Sequence, residues 1–354
     1  MTVSPRQGLG VFAGYHSAQV DAAIRLNTNE SPFAPPEQLL KLWSEGVSQL
    51  ALNRYPDRGA KRLRAAIAEF HGVSPEMVFV ANGSNEVIQT ILLAYGTNGA
   101  VAASFEPTYA MYETIARVTG TAYRAIERGE DFLVDPGRLE SELAEIDPAV
   151  TFMCSPNNPT GLNESEAVVA ALLQGAPGLV VIDEAYGQFS PTSQVPKVKE
   201  RDNLVVVRTF SKIWSLAGMR IGYCIGPKEI VELLWKVALP YHLDSSKQLI
   251  AALSFDFVKE MDERVAFLIS ERQRIEAALA ALDVDFWPSN ANFVLFRPRY
   301  IAGGELWKTL VSRGILIRDW SSWPRLQNCL RVTVGTSGEN DAFINALSDA
   351  LSRR

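Results

Sequence analysis

The sequence predicts an α/β protein, with a large domain on a mostly parallel central sheet and a smaller α+β domain after it. Three observations carry this. Short apolar runs, such as Leu179–Ile182 and Leu204–Val207, alternate with helix-length segments from Val78 onward, the pattern of βαβ units. The alternation ends near Ser245, where a long helical stretch and then a strand–helix–strand tail follow. A length of 354 residues is enough for two cores.

Residues 1–36 are turn-rich, ending in Asn29-Glu30-Ser31-Pro32 and Pro35-Pro36, and read as an ordered N-terminal arm that packs with the small domain. Residues 37–245 are assigned to the large domain and 246–354 to the small one. Helices are predicted over 37–50 and 59–70, the second with Leu63, Ile67 and Phe70 on one face. A strand at 78–80 leads through Asn82-Gly83-Ser84-Asn85-Glu86 into a helix at 87–95. Strands at 100–104, 151–154, 179–182 and 204–207 follow, with helices at 108–120 and 164–174 between them. The remainder reads as a helical region over 249–282, a strand at 293–296, a helix at 305–313 and a strand at 330–334.

A net charge of −6 argues against nucleic acid and anionic membranes as partners, since both call for a basic surface. It leaves open a small phosphorylated ligand, which needs only a local basic pocket. Cys154, Cys224 and Cys329 lack metal-ligand spacing and are too few for a disulfide framework. His16, His71 and His242 form no ligand cluster, so no metal is expected. Residues 1–17 hold no basic segment followed by an apolar one, and no run approaches the ~18 apolar residues of a membrane span. The expected location is the cytoplasm.

The chemistry gathers at the carboxyl ends of predicted strands, where open α/β sheets place their sites. Arg208-Thr209-Phe210-Ser211-Lys212 follows Leu204–Val207, and Arg220 lies eight residues past the lysine. Two hydroxyls, an amine and a guanidinium in one short stretch suit a phosphate-bearing cofactor held covalently through Lys212 as a Schiff base. Ser155-Pro156-Asn157-Asn158-Pro159-Thr160-Gly161 follows another strand; turn chemistry alone explains it, or Asn158 offers its amide to a cofactor oxygen. Asp183-Glu184-Ala185-Tyr186 ends a third strand. There a carboxylate suits a cationic ring nitrogen, although a helix-capping Asp and a packed Tyr account for the same residues. In Asn82–Glu86 a glycine turn enters a helix, the geometry of a phosphate cradle and equally of a capping box.

Taken together, and in this order and spacing, these four runs resemble the fold type I aminotransferases that use pyridoxal 5′-phosphate, over nearly the whole chain. Within that group the chain is most similar to histidinol-phosphate aminotransferases. The supporting runs include Gly14–Ala18, Leu26–Glu30, Arg54-Tyr55-Pro56-Asp57, Pro107-Thr108-Tyr109, Pro240-Tyr241 and Cys329–Thr336.

The resemblance assigns roles. Lys212 bears the cofactor and shuttles the proton between substrate Cα and cofactor, which requires an amine neutral near pH 7. Asp183 faces the pyridinium nitrogen. Asn158 and Tyr186 hydrogen-bond the phenolic oxygen, and Tyr109 stacks on the ring. Ser84, Asn85, Thr209, Ser211 and Arg220 take the phosphate, with arginine suited by its planar fork. Tyr55 reaches the cofactor phosphate of a neighbouring subunit, implying a homodimer with shared active sites. Arg331 clamps the substrate carboxylate with help from Asn29. Tyr15, Tyr241 and Arg318 are candidates for the rest of the substrate.

Some runs depart from the resemblance. His242-Leu243-Asp244-Ser245 follows Pro-Tyr where Asn-Val-Asn-Ser is common, and an Asp244 facing the pocket would repel a phosphorylated substrate. Trp214-Ser215, Ser31, Asn85 and Trp320 also differ, and the added tryptophans would favour an aromatic ring. The leading expectation is an L-histidinol-phosphate:2-oxoglutarate aminotransferase, taking an amino donor and 2-oxoglutarate. The same reaction on phenylalanine or tyrosine is the second reading, and decarboxylation of a phosphorylated amino acid the third. A ligand-sensing transcription factor would need a DNA-binding helix-turn-helix, for which 1–36 is too short and Pro-rich. A dinucleotide dehydrogenase would need a Gly-x-Gly-x-x-Gly after a strand, which is missing.

Overall fold

The computed structural model describes residues 3, 20–96 and 99–352. The chain opens with strand β1 (Ile24–Leu26), then helices α1 (Glu37–Val47) and α2 (Lys61–His71). Next come β2 (Val78–Ala81), α3 (Ser84–Tyr95), β3 (Val101–Glu106), α4 (Met111–Thr119), β4 (Ala122–Glu127), α5 (Leu139–Ile146), β5 (Val150–Cys154) and α6 (Glu166–Gly175). Strands β6 (Leu179–Asp183), β7 (Leu204–Thr209) and β8 (Gly222–Ile225) precede α7 (Lys228–Val237), α8 (Ser245–Ser254) and α9 (Val258–Ala280). The tail holds β9 (Val284–Trp287), β10 (Phe293–Pro298), α10 (Gly303–Ser312), β11 (Ile315–Asp319), β12 (Leu330–Thr333) and α11 (Ser337–Ser352).

Seven strands form one sheet in the order β2-β8-β7-β6-β5-β3-β4, in which only β8 runs against its neighbours. Strands β5, β6 and β7 are buried at every position, which is why they read as continuous apolar runs. The crossovers deliver Cys154, Asp183 and Thr209 to the same end of the sheet, and the loops after them carry the polar residues. The second sheet has the order β1-β11-β12-β10-β9. Its β1 comes from the arm and pairs in parallel with β11, Ile24 opposite Ile315.

Several elements differ from the sequence reading. Helix α3 begins at Ser84, because Gly83 takes φ +87 and the Glu86 carboxylate turns back to accept from the Asn82 N–H. Strand β4 was missed because most of its side chains are exposed, so no apolar run marks it. Strand β8 is short and begins at glycine, whose Cβ would meet the Ser84 nitrogen at 2.3 Å. The single helical region over 249–282 divides into α8, which packs on α1 and α2, and α9, which packs on β9 and β10. Asp244 caps α8 by accepting from the Lys247 N–H.

His71 ends α2 with Nε2 2.8 Å from the Tyr223 hydroxyl. Burial, and after it the Arg208 charge, lower its pKa to about 3. A folded pKa below the unfolded 6.5 means that the neutral ring's stabilisation is complete above pH 6.5 and is lost as pH falls toward 3. Denaturant titrations at pH 7 and pH 4 are expected to show about 3 kcal/mol of acid loss from this group. In His71→Gln, which keeps a partner for Tyr223, that increment should vanish; an unchanged difference between the two pH values would refute the assignment.

Candidate active site

A cavity of about 410 Å3 lies at the carboxyl ends of β5, β6 and β7, and residues of the five-stranded sheet and the arm line its other side. The structure brings together Lys212, Asp183, Asn158, Tyr186, Tyr109, Ser84, Asn85, Thr209, Ser211, Arg220, Asn29, Arg318 and Arg331 along its wall. Two expected residues lie elsewhere. Tyr55 and Tyr241 stack on each other with centroids 4.5 Å apart, outside this cavity, and Tyr55 is 81% exposed. The expectation that Tyr241 meets the substrate therefore finds no support within one chain. Tyr15 falls outside the described residues. Asp244, as the cap of α8, does not line the cavity.

At one end, Gly83 and the first turn of α3 present backbone N–H groups of a 12-residue helix. Arg220 lies against them: a Cβ on Gly83 would sit 2.8 Å from its Nη2. The Ser211 hydroxyl accepts from Arg220 at 3.4 Å and from Thr209 at 3.0 Å. A guanidinium, hydroxyls and a helix N-terminus make a cradle for a phosphate dianion.

Asp183 is fully enclosed. Its Oδ2 accepts from the Tyr112 hydroxyl at 2.8 Å and its Oδ1 from the Ala185 N–H at 3.0 Å. Burial raises its pKa to about 6, against the lowering pull of those two donors and of Lys212. A buried carboxylate of this kind is fitted to a cationic partner in the cavity. Tyr112 was not singled out by sequence; it stacks on Phe152 at 4.9 Å and meets Tyr109 edge-on at 5.5 Å. Tyr109 is fixed in turn by donating to Asn85 Oδ1 at 3.0 Å.

Lys212 donates to the Thr28 carbonyl at 3.2 Å, and its ammonium lies 5.5 Å from the Tyr186 ring centre. Burial and then the Arg331 charge lower its pKa to about 8. A neutral amine is thus within reach near physiological pH, as a nucleophile and proton carrier requires.

Arg331 is 4% exposed. Its guanidinium donates to Asn158 Oδ1 and to the Asn27 carbonyl, the latter at 2.9 Å, and lies over Phe293 and Trp320 at 5.0 and 5.8 Å. Arg318 is its register partner on β11 and lies over the same Trp320 ring at 5.2 Å. Two guanidinium groups on adjacent strands suit an anionic substrate group. Trp323, half-exposed, meets Trp320 edge-on at 5.2 Å at the cavity wall. The backbone contacts of Asn27 and Thr28 carry no signature in residue type, so no sequence pattern could have found them.

With this geometry in hand, the likenesses to known proteins have structural content. Residues 21–347 match the family model for aminotransferase class I and II. A histidinol-phosphate aminotransferase of Streptomyces avermitilis is 41% identical, covering 95% of this chain and 93% of the relative. One from Frankia casuarinae is 39% identical, covering 98% of this chain and 90% of the relative. The crystal structure of a histidinol-phosphate aminotransferase from Sinorhizobium meliloti in complex with pyridoxal-5′-phosphate shares the fold at TM-score 0.84 and 23% identity, covering 94% of this chain and 91% of that one. The chain belongs to the class I and II aminotransferases, a family whose members pass an amino group from an amino donor to a keto acid.

Proposed function

We propose that the protein is a pyridoxal 5′-phosphate-dependent L-histidinol-phosphate:2-oxoglutarate aminotransferase, working in the cytoplasm as a homodimer with shared active sites. The observation that carries the reading is one cavity holding a lysine of lowered pKa, an enclosed carboxylate, a phosphate cradle and a separate pair of register-matched arginines. The names of the relatives at 39–41% identity support the substrate. Exposed Leu52, Tyr55, Leu239 and Tyr241 offer apolar area for a second copy.

The donor set fits the cofactor. Ser84, Asn85, Thr209, Ser211 and Arg220 would hold its phosphate, Asp183 its ring nitrogen, Asn158 and Tyr186 its phenolic oxygen, and Tyr109 its ring face. When bound, pyridoxal phosphate supplies an electron-poor ring that takes up the electron pair left when the substrate Cα loses its proton. Asp183 keeps the ring nitrogen protonated. With the cofactor bound, Lys212 would take the proton from the substrate Cα and hand one back to the exocyclic carbon. Arg331 and Arg318 bind the substrate's anion and so orient the Cα–H bond. Histidinol phosphate carries a phosphate ester where glutamate carries its α-carboxylate, and a pair of guanidiniums serves both anions. Trp320 lies beside both guanidiniums, and Trp323 meets it edge-on at that wall.

Those tryptophans also favour the second reading, an aromatic amino acid as donor. Single-turnover mixing of the holoenzyme with L-histidinol phosphate or L-phenylalanine separates the two. Loss of the visible cofactor band with histidinol phosphate alone is expected. Conversion mainly by phenylalanine would move the substrate, and carbon dioxide release without conversion would mean a decarboxylase. For Arg331→Ala, kcat/KM on both substrates should fall about 10²-fold with cofactor still bound; unchanged substrate affinity would remove the clamp.

A further inference from the structure

The arm is held residue by residue. The Asn27, Thr28 and Asn29 carbonyls accept from Arg331, Lys212 and Asn292 at 2.9, 3.2 and 3.2 Å. Asn29 itself sits at φ +56, in the left-handed region. Its backbone N–H donates to Thr333 Oγ1 at 3.0 Å, its Oδ1 accepts from the same hydroxyl at 3.0 Å, and its Nδ2 donates to the Tyr186 hydroxyl at 2.9 Å. Asn29, Tyr186 and Thr333 are all buried.

Each proton in this chain has one direction. The Thr333 oxygen receives the Asn29 N–H, so its own proton goes to Asn29 Oδ1. That favours this amide orientation, because in the flipped form the NH2 group would donate to the second lone pair of Thr333 Oγ1 and leave the buried Thr333 proton without the Oδ1 acceptor. The NH2 group therefore faces Tyr186. The phenol oxygen accepts from it, and the phenol's own proton is left to point away, toward the cavity that Tyr186 lines.

We infer that Thr333 is a positioning residue, which through Asn29 commits the Tyr186 proton to the phenolic oxygen of the bound cofactor. The inference rests on the cofactor reading above. Neither Thr333 nor Asn29 needs to touch the reacting atoms. Thr333 lies two residues beyond Arg331 on β12, so the strand that bears the substrate clamp also sets the proton on the far side of Tyr186. Burial holds Tyr186 in its protonated form, with a pKa raised above the usual phenol value.

The test is the pH titration of the holoenzyme's visible band, read beside steady-state kinetics. A proton donated to the cofactor oxygen favours its anionic form, so losing that donation raises the pH of the transition. In Thr333→Val the amide can flip and take the Tyr186 proton. The transition is expected to rise by about one pH unit, and kcat to fall about 10-fold with both KM values within about twofold. Thr333→Ser, which keeps the hydroxyl, should match the parent in both readouts. In a Tyr186→Phe background, Thr333→Val should move neither. The relay is overturned if Thr333→Val leaves the transition in place while Tyr186→Phe moves it, or if the two shifts add. A purified protein that takes up no pyridoxal phosphate and shows no visible band would overturn the cofactor reading itself, a separate and distinguishable failure.

Discussion

Lys212→Ala is expected to abolish turnover, with kcat reduced at least about 10⁴-fold, because one side chain supplies both the covalent attachment and the proton transfer. The visible absorbance that pyridoxal phosphate shows when joined to a lysine amine should be absent from the variant. The fold should survive. Lys212 makes one hydrogen bond to the Thr28 carbonyl, and its amine is held below its ordinary pKa, mainly by burial, so the charged form is disfavoured where it sits. A lysine whose folded pKa lies near 8 detracts from stability below that pH and ceases to do so as pH rises toward 10.5. The melting temperature of the cofactor-free variant at pH 7 should therefore not fall. Lys212→Arg keeps a cation but cannot lose its proton, and should be as inactive as the alanine variant. Near-parental turnover in either variant would end the mechanism proposed for this cavity.

Many of the residues that line the cavity were legible because the central strands β5, β6 and β7 are parallel and buried. Three uninterrupted apolar runs, β5, β6 and β7, each give way to polar residues at the same end, so Asn158, Asp183, Ser211 and Lys212 announce themselves by position. Arg331 is legible only through the resemblance, since Leu330-Arg331-Val332 by itself reads equally as a strand-edge arginine; in the fold its buried guanidinium donates to the neutral Asn158 Oδ1 and Asn27 carbonyl. What sequence could not give is contact made by backbone or by residues that look like core. Tyr112 sits three residues after Tyr109 inside α4 and reads as an ordinary packed aromatic, yet its hydroxyl meets Asp183. Thr333 hides in a β-branched strand. Tyr55 and Tyr241 show the opposite limit. Their runs are distinctive, but the fold stacks them on each other and neither lines this cavity. Strands β1, β4, β8, β9 and β11 went unread because they lie at an edge, are short, or belong to the tail.

Asp183→Asn is expected to lower kcat roughly 10³-fold, the second-largest effect at this site, in line with losing an electrostatic partner aimed at developing charge. The substitution keeps the size and removes the negative charge; its single oxygen can still accept from the Ala185 N–H, while its NH2 replaces the oxygen that accepts from Tyr112. In the parent, burial disfavours the carboxylate while Tyr112 and the Ala185 N–H favour it, and the balance leaves a pKa of about 6. A pyridinium placed against it tips that balance to the ionised form, and by reciprocity the carboxylate keeps the ring nitrogen protonated. Affinity for pyridoxal phosphate should drop about tenfold or more, measured by fluorescence titration of the cofactor-free protein, while KM for either substrate changes little, since neither touches Asp183. Tyr112→Phe makes the graded control. It leaves the charge and removes one donor, so the carboxylate titrates higher and the acid limb of the kcat profile moves up in pH, with a loss of about tenfold at most near neutrality. Equal kcat in Asp183→Asn and the parent would show that the ring nitrogen needs no anion here. A Tyr112→Phe loss as deep as that of Asp183→Asn would mean that the tyrosine acts on more than the carboxylate it touches.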